Sequence, residues 1–347
     1  RDRNPFKNIK MKQIKIGIIG IGRMGQIHLD NLMQKFSEVE VVAISDINEE
    51  ARQWAEKYTI SKFYSDYQDL ISDQEVNTVV ICSPTNQHAE NIIAAAQAGK
   101  NIFCEKPMDL SIQTATKVLQ IVEKAGVKFM LGFNRRFDPN FMKIKGLIEE
   151  GKVGDPQIVK ITSRDPAPPP IDYIKSSGGM FLDMTIHDFD MARFMVSSKV
   201  ISIFAVGRNL VDPNIGIAGD IDTAVVTITF DSGAIATIDN SRQAVYGYDQ
   251  RVEVFGSEGM AGTENNKSDN HYYYNKKGQS ESLPLYFFMD RYILSYFNEI
   301  KAFIDCIVHD EVPKVGGQDG LISLAMGWAA NTSMRENRVV MLKEMLN

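Results

Sequence analysis

Apolar and polar positions follow two different regimes along the chain. Through the first third, short apolar runs alternate with amphipathic stretches. The runs are Ile14–Ile19, 39–45, 78–82, 101–104 and 128–131. Between them, 24–36, 49–58, 87–98 and 112–125 carry apolar residues at intervals of three and four, which predicts helices. Gly99 and Gly126 follow two of these helices, where a terminating glycine is expected. Strict alternation of strand and helix predicts an α/β fold with a parallel, doubly wound sheet.

The pattern changes after residue 132. Segment 165–170 reads DPAPPP, too stiff and too poor in N–H donors for a sheet interior. A helix is predicted over 179–196. Strands follow at 200–206, 223–230, 234–240 and 251–255, with a turn signal at Asp231, Ser232 and Gly233. Helices at 292–309 and 321–332 close the pattern. Strands with few helices between them predict an α+β domain built on a large, mostly antiparallel open sheet. The expected division is a dinucleotide-binding Rossmann domain over 11–131 and a substrate-binding and oligomerisation domain over 132–347. Residues 1–10, RDRNPFKNIK, contain no apolar signal-peptide core. They read as a cloning scar or a flexible arm, with Met11 the expected natural start.

Composition narrows the picture. A length of 347 residues suits two domains at roughly 100–200 residues each. With 44% hydrophobic residues there is material for two cores. A net charge of -6 gives little attraction for nucleic acid or anionic lipid. No apolar run approaches the roughly 18 residues of a membrane-spanning helix. Cys82, Cys104 and Cys306 are odd in number and widely spaced, so buried free thiols in a reducing cytoplasm are expected. Five histidines without an HExxH pair predict no catalytic metal.

The first chemical signal is KIGIIGIGRMG, which sets Gly20, Gly22 and Gly25 in GxGxxG spacing between a predicted strand and a predicted helix. In that context Gly20 serves the tight turn, Gly22 the approach of a pyrophosphate, and Gly25 close helix packing. Arg23 and Met24 open the helix, whose N-terminus attracts phosphate. Asp46 ends the next strand, where a carboxylate accepts from both ribose hydroxyls and repels a 2′-phosphate. No arginine immediately follows it, so NAD is expected rather than NADP. Two further loops lie at strand ends on the ligand-binding edge: Ser83, Pro84, Thr85 and His88, then Glu105, Lys106 and Pro107. His88 reads equally as a cofactor contact or as a surface residue of a helix N-terminus.

Oxidation of an alcohol by NAD needs a base, a group that steadies the oxygen, and a seat beside the nicotinamide. Asp183 and His187 are four residues apart on the predicted 179–196 helix, so both would project from one face. A carboxylate there would favour the protonated imidazole and orient the ring. An ordinary surface ion pair is the competing reading. Pro107 restricts Lys106 to extended backbone, at a strand end suited to holding the reacting oxygen.

Taken together, these elements resemble the glucose–fructose oxidoreductase/inositol dehydrogenase/MocA family, over essentially everything from Met11 onward. Lys106, Asp183 and His187 match its catalytic lysine, aspartate and histidine. The segments SRDPAPPP (163–170), GGMFLDMTIHDFDMARF (178–194) and AVYGYDQRVEVFGSEGM (244–260) look like its inositol 2-dehydrogenase branch. The resemblance implies oxidation of myo-inositol to 2-keto-myo-inositol (scyllo-inosose), with NAD reduced and His187 as base. It implies a cytoplasmic homotetramer formed through the open face of the second sheet. Substrate contacts are implied at Asp165, at Tyr246 or Tyr248, and nearby at Asn134 and Arg135. Aromatic packing in a sheet is the other reading of the two tyrosines. The rivals are a relative acting on another inositol isomer or on a sugar such as glucose, and an NAD-binding sensor without turnover.

Overall fold

A computed structural model describes residues 13–346. The expectations for residues 1–10 and Met11 lie outside them. The chain forms two compact units. One holds residues up to Met108 with Lys117–Gly132 and Ile300–Gly317. The other holds Asp109–Thr116, Phe133–Glu299 and the chain from Gln318.

The first unit is built on six parallel strands: β1 (Ile14–Ile19), β2 (Val39–Ser45), β3 (Lys62–Tyr64), β4 (Thr78–Ile81), β5 (Asn101–Glu105) and β6 (Phe129–Gly132). Their order is β3-β2-β1-β4-β5-β6. The order reverses between β1 and β4, and that switch point is where such sheets bind ligands at their carboxyl edge. Four of the strands are nearly continuous apolar runs because helices cover both faces. Ile16, Ile18, Val79, Val80, Ile102 and Phe103 are fully buried, each apolar side chain contributing about 1.5–3 kcal/mol. The helices Arg23–Lys35 and Thr85–Gln97 begin at the carboxyl ends of β1 and β4.

The second unit is a seven-stranded sheet of order β12-β11-β7-β10-β9-β8-β15. Its strands are β7 (Pro156–Arg164), β8 (Val200–Arg208), β9 (Thr223–Phe230), β10 (Ile235–Ser241), β11 (Asp249–Gly256), β12 (Met260–Gly262) and β15 (Val340–Met341). A separate hairpin pairs β13 (Tyr272–Asn275) with β14 (Gly278–Glu281). Only β7 and β10 run parallel; the other pairs in this sheet are antiparallel. Alternation divides the sheet's faces. Val159, Ile161, Val226, Ile228, Ala236, Ile238, Val252 and Val254 are buried on one face. Ile158, Val206, Val225, Ile235 and Phe255 are exposed on the other.

The helix expected over 179–196 is broken. Met180–Asp183 forms one turn and Ile186–Val196 forms a second helix. Met184 and Thr185 both direct their N–H to the Met180 carbonyl, which ends the first turn. Thr185 Oγ1 donates to Asn240 Oδ1 at 2.7 Å, fixing the break to β10. Asp183 and His187 therefore do not share one continuous helix face. Cys104 and Cys306 are buried thiols, as expected, but Cys82 is half-buried rather than buried. No helix among the described residues is long and apolar enough to cross a membrane.

Candidate active site

In the first unit, β1 turns through Gly20 into the helix Arg23–Lys35. Gly20 has φ +88°, and a Cβ there would meet the Ser83 nitrogen at 2.7 Å. A Cβ on Gly25 would lie 2.0 Å from the Gly20 carbonyl oxygen. The helix can close on the turn only without those side chains. Gly22 differs, because a Cβ there would meet nothing within 4 Å. Its surface is open to an approaching phosphate. The helix starts without a side-chain cap or an acidic first turn. Its first N–H groups, at Arg23 and Met24, have no acceptor within the helix and suit an anion.

Asp46 closes the same turn from β2. Its Oδ2 accepts the Ile21 N–H at 2.7 Å and its Oδ1 the Asn48 N–H at 2.8 Å. A carboxylate has about four acceptor positions, so capacity remains for a ribose diol. The open glycine, the uncapped helix and this carboxylate together fit a dinucleotide.

The loop after β4 carries Ser83, exposed Pro84 and half-buried Thr85, the last two opening the helix Thr85–Gln97. Asn91 Nδ2 donates to Ser83 Oγ at 2.8 Å. His88 is not a surface residue. It is 2% exposed, with Nδ1 2.7 Å from the Pro107 carbonyl and Nε2 2.7 Å from the Ser83 carbonyl. Burial pushes its pKa down, against the pull of those two carbonyls. The Glu105 carboxylate is likewise turned inward, its Oε1 2.7 Å from Nε2 of fully buried His28. Both side chains thus have partners within the protein. Lys106, next to Glu105, is half-buried.

In the second unit, His187 stands in the first turn of Ile186–Val196, half-buried between buried Ile186 and Asp188. The Phe133 ring meets its imidazole edge-on, with centroids 5.9 Å apart. Asp183 is 9% exposed. Its Oδ1 accepts the Tyr173 hydroxyl at 2.9 Å, and its Oδ2 lies 3.5 Å from Arg242 Nη2. Arg242 Nη1 reaches Asp165 Oδ2 at 3.4 Å. Burial, and behind it neighbouring Asp183, push Asp165 up to about 6 against the pull of Arg242. The Asp183 carboxylate beside its hydroxyl pushes the phenol of Tyr173, an otherwise exposed residue, up. Arg242 and Tyr173 went unnoticed in the sequence because no local spacing ties them to Asp183. The arginine shortly after a strand was the available signal.

Asn134 is buried, and its Nδ2 donor has no partner among the described residues. Arg135 departs from expectation. Its guanidinium is committed to Asp188 and to Ser163 Oγ, so it holds the fold rather than a substrate. Asp188 also accepts from Asn240 Nδ2 at 2.9 Å. Tyr246 departs as well. Its hydroxyl donates to Asp249 Oδ2 at 2.6 Å and accepts from Arg164 at 3.1 Å. Arg164 follows Ser163 in β7 and so projects from the opposite face of the sheet, away from the Asp188 helix. Tyr248 is 7% exposed and packs edge-on against Tyr292. Of the two tyrosines, its charged neighbours are Arg135, Asp165 and Asp188.

Residues 14–133 match the family described as oxidoreductases with an NAD-binding Rossmann fold, and 141–262 match the GFO/IDH/MocA C-terminal domain. A myo-inositol 2-dehydrogenase from Thermotoga maritima is 48% identical, over 96% of this chain and 100% of that one. An inositol 2-dehydrogenase from Rhizobium meliloti is 42% identical, over 94% and 98%. Among solved structures, the scyllo-inositol dehydrogenase from Lactobacillus casei, with bound NAD(H) and scyllo-inositol, superimposes with a TM-score of 0.90. It is 29% identical and covers 96% of this chain and 100% of that one. The chain belongs to the GFO/IDH/MocA family of NAD-binding oxidoreductases.

Proposed function

We propose that the protein is an NAD-dependent inositol 2-dehydrogenase that oxidises myo-inositol to 2-keto-myo-inositol. The observation that carries the reading is the network Tyr173–Asp183–Arg242–Asp165, in the same unit as His187. A polyol offers donors and acceptors on every ring carbon, and a site of alternating carboxylates, phenol and guanidinium pairs both kinds. Such a site rejects an isomer that leaves its buried groups unpaired.

Gly20, Gly22, Gly25, Asp46, Ser83, Pro84 and Thr85 would hold NAD, which when bound accepts the hydride. His187 takes the hydroxyl proton. Asp183 orients and tunes that base, and Lys106 steadies the oxygen as it gains carbonyl character. Asn134 and Tyr248 join Asp165 in reading the ring. Initial rates of NADH formation on a panel of inositols and sugars test the substrate. The highest kcat/KM is expected with myo-inositol. A preference for scyllo-inositol or glucose would reassign the substrate, and silence with every polyol would favour a sensor.

We also propose a cytoplasmic homotetramer that uses the open face of the seven-stranded sheet. In support, Ile158 pairs in register with Ile235 and Phe255, and Val206 with Val225, giving apolar rows across that face. Exposed apolar rows suit association between copies of the chain. Sedimentation at micromolar concentration should give a tetramer mass.

A further inference from the structure

Both residues flanking Lys106 are tied to buried histidines. Glu105, before it, accepts from His28, which is fully buried and packs edge-on against Phe103 with centroids 5.0 Å apart. Pro107, after it, gives its carbonyl to His88. His28 belongs to the helix that opens at Gly22, and His88 to the helix that opens at Thr85. His88 also holds the Ser83 carbonyl, while Asn91, one turn further along the helix, holds the Ser83 hydroxyl. Thus the two helices whose N-termini border the proposed dinucleotide site each send one imidazole inward to the Lys106 segment.

We propose that His28 and His88 are positioning residues, a two-sided tether that fixes the backbone of Lys106 relative to the glycine turn and the Ser83 loop. The physical need is plain. Lysine has four rotatable side-chain bonds and cannot be held at a reacting oxygen unless its backbone is fixed first. The rigid His88 ring is packed between the two segments, one nitrogen facing the Pro107 carbonyl and the other the Ser83 carbonyl, and so sets their spacing although a neutral ring donates to only one of them. Two of the chain's five histidines are spent in this way. Neither His28 nor His88 touches the reacting atoms, so their effect passes through Lys106.

This inference rests on the role given to Lys106 above, and two measurements separate the two claims. The first is a double-mutant cycle. His88→Gln and His28→Gln should each lower kcat with myo-inositol by about 10- to 100-fold, the usual penalty of a misplaced catalytic group. In a Lys106→Met background the same substitutions should change kcat by less than about threefold, because their target is gone. A full penalty persisting in that background overturns the tether. The second is native-state hydrogen exchange, which needs no turnover. Amides of the 104–108 segment should exchange faster in both glutamine variants, with exchange in the seven-stranded sheet unchanged. Unchanged exchange at 104–108 overturns the tether whatever the substrate proves to be. A wild-type protein inactive on every polyol, but with accelerated exchange in the variants, overturns the functional reading and leaves the tether standing.

Discussion

Arg242 and Asp183 form a buried ion pair, with Nη2 3.5 Å from Oδ2 and the arginine only 2% exposed. The same guanidinium reaches Asp165, so one cation serves two carboxylates. Removing it would leave two like charges close together and poorly solvated. Breaking such a pair costs about 3–5 kcal/mol. Arg242→Met should lower the urea midpoint accordingly, and the acid limb of the kcat/KM profile should move to higher pH. Arg242→Lys should recover part of both effects. An unmoved acid limb in Arg242→Met would show that the guanidinium does not tune these carboxylates.

Asp165 carries its own pH signature. Its carboxyl is raised from the usual 3.8 to about 6 in the folded protein. A raised folded value favours the folded state below the unfolded pKa, and that contribution is lost as pH climbs through the folded value. The stability of wild type relative to Asp165→Asn should therefore fall between about pH 4 and about pH 6, then level off. Urea unfolding of both proteins at several pH values measures it. A difference that does not change with pH would mean that Asp165 titrates normally.

Much of the first unit was legible because buried parallel strands are unbroken apolar runs. Ile14–Ile19 and Val39–Ser45 have the bounds read from the pattern. Strand β3 was missed, since Lys62–Tyr64 is three half-buried residues at a sheet edge. Strand β7 was missed although its apolar residues alternate. It begins at a proline, and its parallel partner β10 lies far along the chain, so no local signal announces the pair. The break after Asp183 has no glycine or proline to mark it; a tertiary bond from Thr185 to Asn240 makes it. The glycine turn, Lys106, Asp183 and His187 were visible as motifs. Arg242 and Tyr173 were invisible because folding alone brings them to Asp183.

The fingerprint glycines should separate by role. A methyl on Gly25 would run into the Gly20 carbonyl, whereas one on Gly22 would enter open space. Gly25→Ala should lower the melting temperature and weaken NADH binding together. Gly22→Ala should keep the wild-type melting temperature and still lose NADH affinity by about tenfold or more, because the phosphates need that space. Fluorescence titration and thermal melts suffice. Equal NADH affinity in Gly22→Ala and wild type would place the pyrophosphate elsewhere.

The two tyrosines should part in the same manner. Tyr246→Phe loses bonds to Asp249 and Arg164 on the outer sheet face, at a cost of about 1 kcal/mol in stability. Its KM for myo-inositol should stay within about twofold of wild type, whereas Tyr248→Phe should raise KM several-fold. The reverse order would return Tyr246 to the substrate site.

The most direct test is NADH absorbance on mixing the protein with NAD and myo-inositol, in wild type and in His187→Ala. Wild type should form NADH steadily, and the variant should do so about 10²- to 10⁴-fold more slowly while binding NADH normally. Absence of NADH formation by wild type, or near-wild-type turnover by the variant, would contradict the proposed dehydrogenase and its base.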